Sequence, residues 1–228
     1  MNARNKIYLT DKMKEERFRW CLERENWSMA QWQSIVWTDE CTIQNFSNAR
    51  IKLFTNSTAS DPKNFNRQAG ILGKYKVNFW GFISYNKLKI FLISGKFNKD
   101  EYLRILRDEG ALQLIKELIP EVRLFQQDNL RTHFVQSVTE FIDDQGLELL
   151  DFPVYSPDLS PIENIWAILK KYVQESLSAK QVSSEQELWQ VVENCSEKIP
   201  LIYVQNSMNS MPDRCQKVMK NVGEMLDA

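Results

Sequence analysis

Val122-Arg123-Leu124-Phe125-Gln126-Gln127-Asp128 is a short apolar run that stops at a carboxylate, and the residues after it decide the fold. Thr132 is placed to cap a helix running to about Asp144, Gly146 stands just past that helix end, and residues 147–152 read as the next strand. A strand, a helix and a further strand in this order make a crossover unit, which belongs to an open sheet with helices packed on it. Ligands of such sheets sit at the carboxyl ends of strands, and Asp128 stands at such an end.

The pattern extends in both directions. Upstream, residues 34–46 are a strand candidate carrying the β-formers Ile35, Val36, Trp37, Thr38 and Ile43. Residues 51–55 read as a short strand, and residues 56–73, rich in Asn, Ser, Pro and Gly, as a loop. Residues 75–84 and 88–94 are two strand-like runs joined by Tyr85-Asn86-Lys87, a hairpin signal. Asn98 or Lys99 begins a helix expected to run through Ile119, closed by Pro120. At the start of the chain, residues 1–10 are a polar lead-in, Asp11 is expected to cap a helix to about Glu25, and Ser28 to cap a short helix over residues 29–33. Downstream, residues 153–160 form a Pro-rich loop, and Ser160 caps a helix through Lys171 or beyond. Further helices are expected over residues 184–198 and 200–208 and from Pro212. The whole reads as an α/β fold with a mixed sheet flanked by helices. It divides into an N-terminal linker and helices over residues 1–33, a central domain over residues 34–180, and a C-terminal helical extension of that domain over residues 181–228.

Hydrophobic residues make up 43% and charged residues 26% of the 228 residues, the balance of a soluble globular chain. No apolar run approaches the roughly 18–20 residues that span a bilayer, and the first ten residues lack the apolar stretch of a signal peptide, so an intracellular protein without a membrane partner is expected. Cys21, Cys41, Cys195 and Cys215 are scattered without a CxxC pair, which argues against a zinc site and for small buried hydrophobes. The net charge is −1, yet residues 50–99 hold ten Lys or Arg against the single acid Asp61. A one-sided basic stretch of that kind is either a solvated strand face or a contact surface for phosphates.

Three acids stand where chemistry is expected. On a strand, Ile35, Trp37 and Asp39 point to one face, and a carboxylate there is costly to bury unless it is paired or binds a metal. Asp128 closes its apolar run, and Glu163 opens the helix after Ser160. Two carboxylates near strand ends and one on a nearby helix can converge on two Mg²⁺ ions about 3.5–4 Å apart, the arrangement that activates an attacking hydroxyl and stabilises a leaving oxygen in phosphodiester cleavage. Each acid also has a plainer role open to it. Ser160 and Glu163 fit an S-x-x-E capping box with Pro161 at the first helical position, Asp128-Asn129 can start a turn, and Asp39-Glu40 can be an exposed strand end.

Trp37-Thr38-Asp39-Glu40, then Gln126-Gln127-Asp128-Asn129 with His133, then residues 155–166 (Tyr-Ser-Pro-Asp-Leu-Ser-Pro-Ile-Glu-Asn-Ile-Trp) resemble, in order, the three catalytic blocks of the Tc1/mariner transposases. Thirty-four residues separate Asp128 from Glu163, the spacing of the Tc1-like branch, and residues 78–84 (Asn-Phe-Trp-Gly-Phe-Ile-Ser) resemble the family's central strand. The resemblance implies an RNase H-like fold and a DDE triad of Asp39, Asp128 and Glu163 holding two Mg²⁺ or Mn²⁺ ions. It further implies DNA strand cleavage and joining to a TA target, transposon ends and target DNA as partners, a homodimer, and action in the nucleus. Asn129 and His133 become site-support residues. Arg50, Lys52, Lys63, Arg67, Lys74, Lys76 and Arg131 become candidate DNA contacts, while Trp80 and Trp166 fit best as core.

Three departures qualify that expectation. The family carries two helix-turn-helix units ahead of its catalytic domain, and this chain is expected to lack them. Leu130-Arg131 replaces the usual Ala-Pro after Asp-Asn, and the glycine-rich run before the central strand is reduced to Gly70-Ile71-Leu72-Gly73-Lys74. These leave a second expectation open, an inert transposase-derived fragment that binds DNA or protein.

Overall fold

A computed structural model describes residues 8–45, 75–118, 123–179 and 181–226. The expected strand over residues 51–55, the loop after it, and Arg50, Lys52, Lys63, Arg67 and Lys74 lie outside the described residues.

The centre is a five-stranded mixed sheet: β1 (Ile35–Gln44), β2 (Lys76–Ser84), β3 (Lys87–Leu92), β4 (Leu124–Gln126) and β5 (Glu148–Leu149), in spatial order β3-β2-β1-β4-β5. The first three strands are antiparallel neighbours and β4 and β5 add on in parallel. The tight turn between β2 and β3 requires their antiparallel pairing, whereas the parallel neighbours β4 and β5 need the crossover through α5. Strand alternation sends successive side chains of β1 to opposite faces. Ile35, Trp37, Cys41 and Ile43 enter one core, and Val36 enters the other.

The first core is covered by α1 (Asp11–Glu23), α2 (Met29–Gln33), α6 (Pro161–Ala179), α7 (Glu185–Glu197), α8 (Leu201–Asn209) and α9 (Met211–Lys220); the second by α3 (Lys99–Leu103), α4 (Ala111–Leu118) and α5 (Gln136–Asp144). The mixed, helix-flanked sheet expected from the sequence is therefore present. All four cysteines are free and buried.

Several local expectations are corrected. Thr10, not Asp11, caps α1, its hydroxyl accepting from the Met13 amide. The helix foreseen from residue 98 to 119 is interrupted: Arg104–Asp108 widens into a π-turn, and Gly110 at φ 72° separates it from α4, a backbone state that glycine tolerates without strain. α5 starts after Val135 rather than Thr132, because residues 131–134 are held in turns by Leu130 and Arg131 carbonyls. The strand over residues 147–152 shortens to Glu148–Leu149. Ser28 caps α2 with a capping box completed by Gln31, as its spacing indicates.

One buried ion pair ties the two chain ends to the loop before α6. The Arg17 guanidinium, fully buried, donates to both carboxylate oxygens of Asp158 at 2.8 and 2.6 Å and to the Gly223 and Glu224 carbonyls. The Leu226 amide also donates to Asp158, and Arg214 donates to its carbonyl. Removing one member of such a pair leaves an uncompensated charge in the core. Asp158→Ala is expected to destabilise the chain by about 3–5 kcal/mol in denaturant unfolding, far above an exposed Asp→Ala control; a loss under about 1 kcal/mol would show that solvent reaches Arg17 and refute the burial argument.

Candidate active site

Asp39 sits in the middle of β1, on the face that meets α6. It pairs across the strands with Gly81 of β2. The indole of Trp166, on α6, lies against that glycine: a Cβ at Gly81 would meet Trp166 Cη2 and the Lys89 carbonyl oxygen at 2.8 Å. From there Trp166 Nε1–H donates to Asp39 Oδ2 at 2.9 Å. Trp166 is thus core, as the sequence indicates, and also a direct partner of the carboxylate, which the sequence does not reveal.

Glu163 lies one helical turn before Trp166, and residues three apart share a helix face. Its amide reaches the Ser160 carbonyl oxygen at 3.3 Å, so the start of α6 uses a backbone bond where the sequence suggested a capping box. The Glu163 carboxylate is close enough to Asp39 to raise its pKa. Burial first, then the negative charges of Glu163 and Glu40, push Asp39 up to about 8 despite hydrogen bonds from Trp166 and from the backbone of Glu40. Burial also raises Glu163, with Lys170 opposing it. Asp39 is therefore no exposed strand end. It is a half-buried acid offered neutral N–H donors and confronted by like charges.

Asp128 follows β4 on the adjoining loop. The parallel pairing sets Ile35 beside Leu124, Val36 beside Phe125 and Trp37 beside Gln126, and it ends there, two residues before Asp128. β4 ends at Gln126, whose side-chain oxygen accepts from the Thr38 amide while its carbonyl accepts from the Thr38 hydroxyl. Freed from the sheet, Asp128 turns its Oδ1 to the Leu130 amide at 3.0 Å and to His133 Nδ1 at 2.8 Å. The turn-starting role foreseen for Asp128 is thus present.

His133 is 1% exposed and bridges two acids, with Nδ1 on Asp128 and Nε2 on Glu40 Oε1 at 3.2 Å. Burial works against its charge, but the hydrogen bonds and charges of Asp128 and Glu40 outweigh it and raise its pKa to about 10, so the ring is an imidazolium at neutral pH. Among the described residues, Glu40, Asp128 and His133 form a group whose ligand atoms all lie within 4.8 Å of one another. The sequence gives no sign of Glu40's role; its place on the strand face opposite Asp39 is readable from alternation, but its partner lies 93 residues away.

The remaining candidates separate. Asn129 Nδ2 donates to the Phe152 carbonyl at 2.9 Å, tying the loop after β4 to the loop after β5. Arg131 is exposed, second in a turn closed by the His133 amide on the Leu130 carbonyl, a position where proline is favoured. Arginine in place of the family's proline therefore keeps the turn and adds a charge. Lys76 is exposed on β2, opposite Gln44.

Hard oxygen donors in mutual repulsion suit a divalent cation, and Asp39 with Glu163 provide them. The family model described as DDE superfamily endonuclease matches residues 34–185. The Tc3 transposase of Caenorhabditis elegans is 28% identical over 197 residues, 86% of this chain and 58% of that protein. Among solved structures, the Mos1 transposase catalytic domain with raltegravir and Mg superposes with a TM-score of 0.71 at 18% identity, covering 97% of this chain and 100% of that one. A Mos1 paired-end complex with the left transposon end gives 0.70 at 17%, covering 100% and 69%. These likenesses identify the sheet and its helices as the RNase H-like fold.

The pKa of Asp39 yields a test. Its folded value of about 8 lies above its ordinary 3.8, so its contribution to stability is full below 3.8 and is lost as pH rises through 8. In metal-free protein, Asp39→Asn, which still accepts from Trp166, is expected to reduce the stability lost between about pH 5 and about pH 8 and to raise Tm at the upper end by at least ~3 °C. A lower Tm for the variant at the upper pH would contradict the assigned burial and repulsion.

Proposed function

Because the chain belongs to the DDE superfamily endonucleases, on their Tc1/mariner branch, we propose that it is a transposase catalytic domain that cuts DNA strands and transfers them to target DNA. The observation that carries this is half-buried Asp39 with the Glu163 carboxylate close enough to repel it, while Asp128 follows β4, the strand paired with β1, by two residues. Asp39, Asp128 and Glu163 are the residues that would hold two ions, Mg²⁺ or Mn²⁺. Bound there, the ions would neutralise charge on the scissile phosphate and lower the pKa of the attacking water or hydroxyl.

The protein's own groups prepare that site. Trp166 holds one oxygen of Asp39. Asn129 fixes the loop carrying Asp128 against the loop leading to α6. His133 supplies positive charge behind Asp128. Arg131 and Lys76 are exposed cations suited to backbone phosphates; Arg50, Lys52, Lys63, Arg67 and Lys74 join them on charge alone. Transposon ends and target DNA, a homodimer bridging two ends, and action in the nucleus belong to the same proposal. The chain spans 58% of the Tc3 protein, so these are properties proposed for the part in hand.

The second reading is the inert fragment that binds DNA or protein. It is favoured by the Asp128 carboxylate, which turns to His133 and joins Glu40 rather than Asp39 and Glu163. Two measurements separate the readings. With Mn²⁺, the wild-type chain is expected to nick or join duplex DNA and to gain Tm on saturation, and Asp128→Ala to lose both. Equal behaviour of wild type and Asp128→Ala on clean substrate would leave only the inert fragment. Independently, reversing charge at Lys74 and Lys76 is expected to weaken DNA binding and to reduce the slope of log affinity against log salt by about 0.9 per lost phosphate contact; an unchanged slope rules the basic stretch out as a phosphate contact.

A further inference from the structure

The face of β1 opposite Asp39 carries a polar network that the proposed chemistry does not use directly. Glu40 points there, on the side of α3 and the π-turn, and its Oε1 meets His133 Nε2 at 3.2 Å. The ring's other nitrogen meets Asp128 Oδ1 at 2.8 Å and the Asp128 carbonyl oxygen at 3.1 Å. The imidazole is held on every side. Tyr102 and Phe97 pack on it with ring centroids at 4.6 and 5.8 Å. Its backbone amide donates to the Leu130 carbonyl, and its carbonyl accepts from Gln127 Nε2. Gln127 is itself fixed by the Tyr102 hydroxyl at 2.9 Å.

The three side chains are also close enough to suggest a metal site of their own. The geometry favours another role: each ring nitrogen is already engaged by a carboxylate oxygen, Nδ1 by Asp128 at 2.8 Å and Nε2 by Glu40 at 3.2 Å. What the arrangement does is aim Asp128. The loop carrying Asp128 has left the sheet, and its side chain is 44% exposed, so no ladder fixes it. The Leu130 amide and His133 both engage Oδ1 and so fix the carboxylate through that oxygen. Glu40 accepts from the far side of the ring and so holds the ring in the orientation in which Nδ1–H points at Asp128. Ligand-orienting partners of this kind act on metal affinity without touching the metal.

We propose that Glu40 is a positioning residue for Asp128, acting through His133. The inference rests on Asp128 being a metal-binding carboxylate, which the proposed function requires. The experiment uses the whole chain with Mn²⁺ as the probe, and compares Glu40→Gln, which still offers an acceptor oxygen to Nε2–H, with Glu40→Leu, of similar size and no acceptor. Mn²⁺ affinity is read from titration calorimetry and from the metal-induced rise in Tm, and kcat and KM from DNA nicking. Glu40→Leu is expected to bind Mn²⁺ at least ~10-fold more weakly and to lose kcat while KM for DNA stays near wild type, with Glu40→Gln recovering most of both. Glu40→Met serves as a second acceptor-free variant should Glu40→Leu fail to fold. If the acceptor-free variant binds Mn²⁺ and turns over like wild type, or if Glu40→Gln is as impaired as Glu40→Leu, the positioning role is overturned while the metal site stands. A wild-type chain that binds no Mn²⁺ overturns the metal site and this inference together.

Discussion

The hydrogen bond from the Trp166 indole to Asp39 is the contact on which the site depends. It requires the indole to lie against the sheet, which is possible because the residue paired with Asp39 is Gly81. Any side chain there would run into Trp166 and the Lys89 carbonyl oxygen at 2.8 Å, both inside normal contact. Trp166 is further held edge-on by Phe79, ring centroids 5.3 Å apart. One glycine in a strand, unfavourable for a strand by itself, therefore sets the distance of α6 from β1. That distance brings Glu163 up to Asp39. The energetic consequence is a pair of carboxylates that repel each other in a poorly solvated setting, a cost that a cation relieves.

The residues of the Tyr155–Trp166 block divide by direction. Glu163 faces the site. Asp158 faces the other way, into the clamp with Arg17, and Leu159, Ile162 and Ile165 are fully buried under α6. Tyr155 is exposed and stands at φ 51°, a strained state for a side chain of its size. A long, specific sequence block thus serves mostly to fix the start of one helix, and only one of its acids is available to a metal. The clamp joins α1 and the segment after α9 at Asp158, five residues before Glu163.

Much of this was legible in the sequence where local chemistry decides the outcome. Ser28 marked the start of α2, Gly146 marked the end of α5 with φ 73°, and the β-branched and aromatic run around Trp37 marked the central strand. Illegible features depend on partners distant in sequence. Thr132 looks like a helix cap until the Leu130 and Arg131 carbonyls claim the following amides for turns. A helix-period pattern continued past Gly110, but the widened turn at Arg104–Asp108 and the positive φ of that glycine broke it. Glu40 carried no local signal, because its role exists only once His133 folds back onto β1.

The three acids reach their places by different kinds of constraint. Asp39 is fixed by ladders on β1 and by burial, and Glu163 by the first turn of a packed helix. Asp128 would stand beside Asp39 if β4 ran two residues further in the same register. It does not, since Gln126 spends its side chain and its carbonyl on Thr38 and the chain leaves the sheet there. Side-chain hydrogen bonds must then do for Asp128 what the backbone does for the others. A bond to the nearby Leu130 amide forms locally, but only the chain from Glu40 through His133 ties Asp128 back to the central strand. The accuracy of the least constrained acid is thereby referred to the same strand that carries the most constrained one. Adjacent residues of β1, pointing to opposite faces, would then set two of the three ligands.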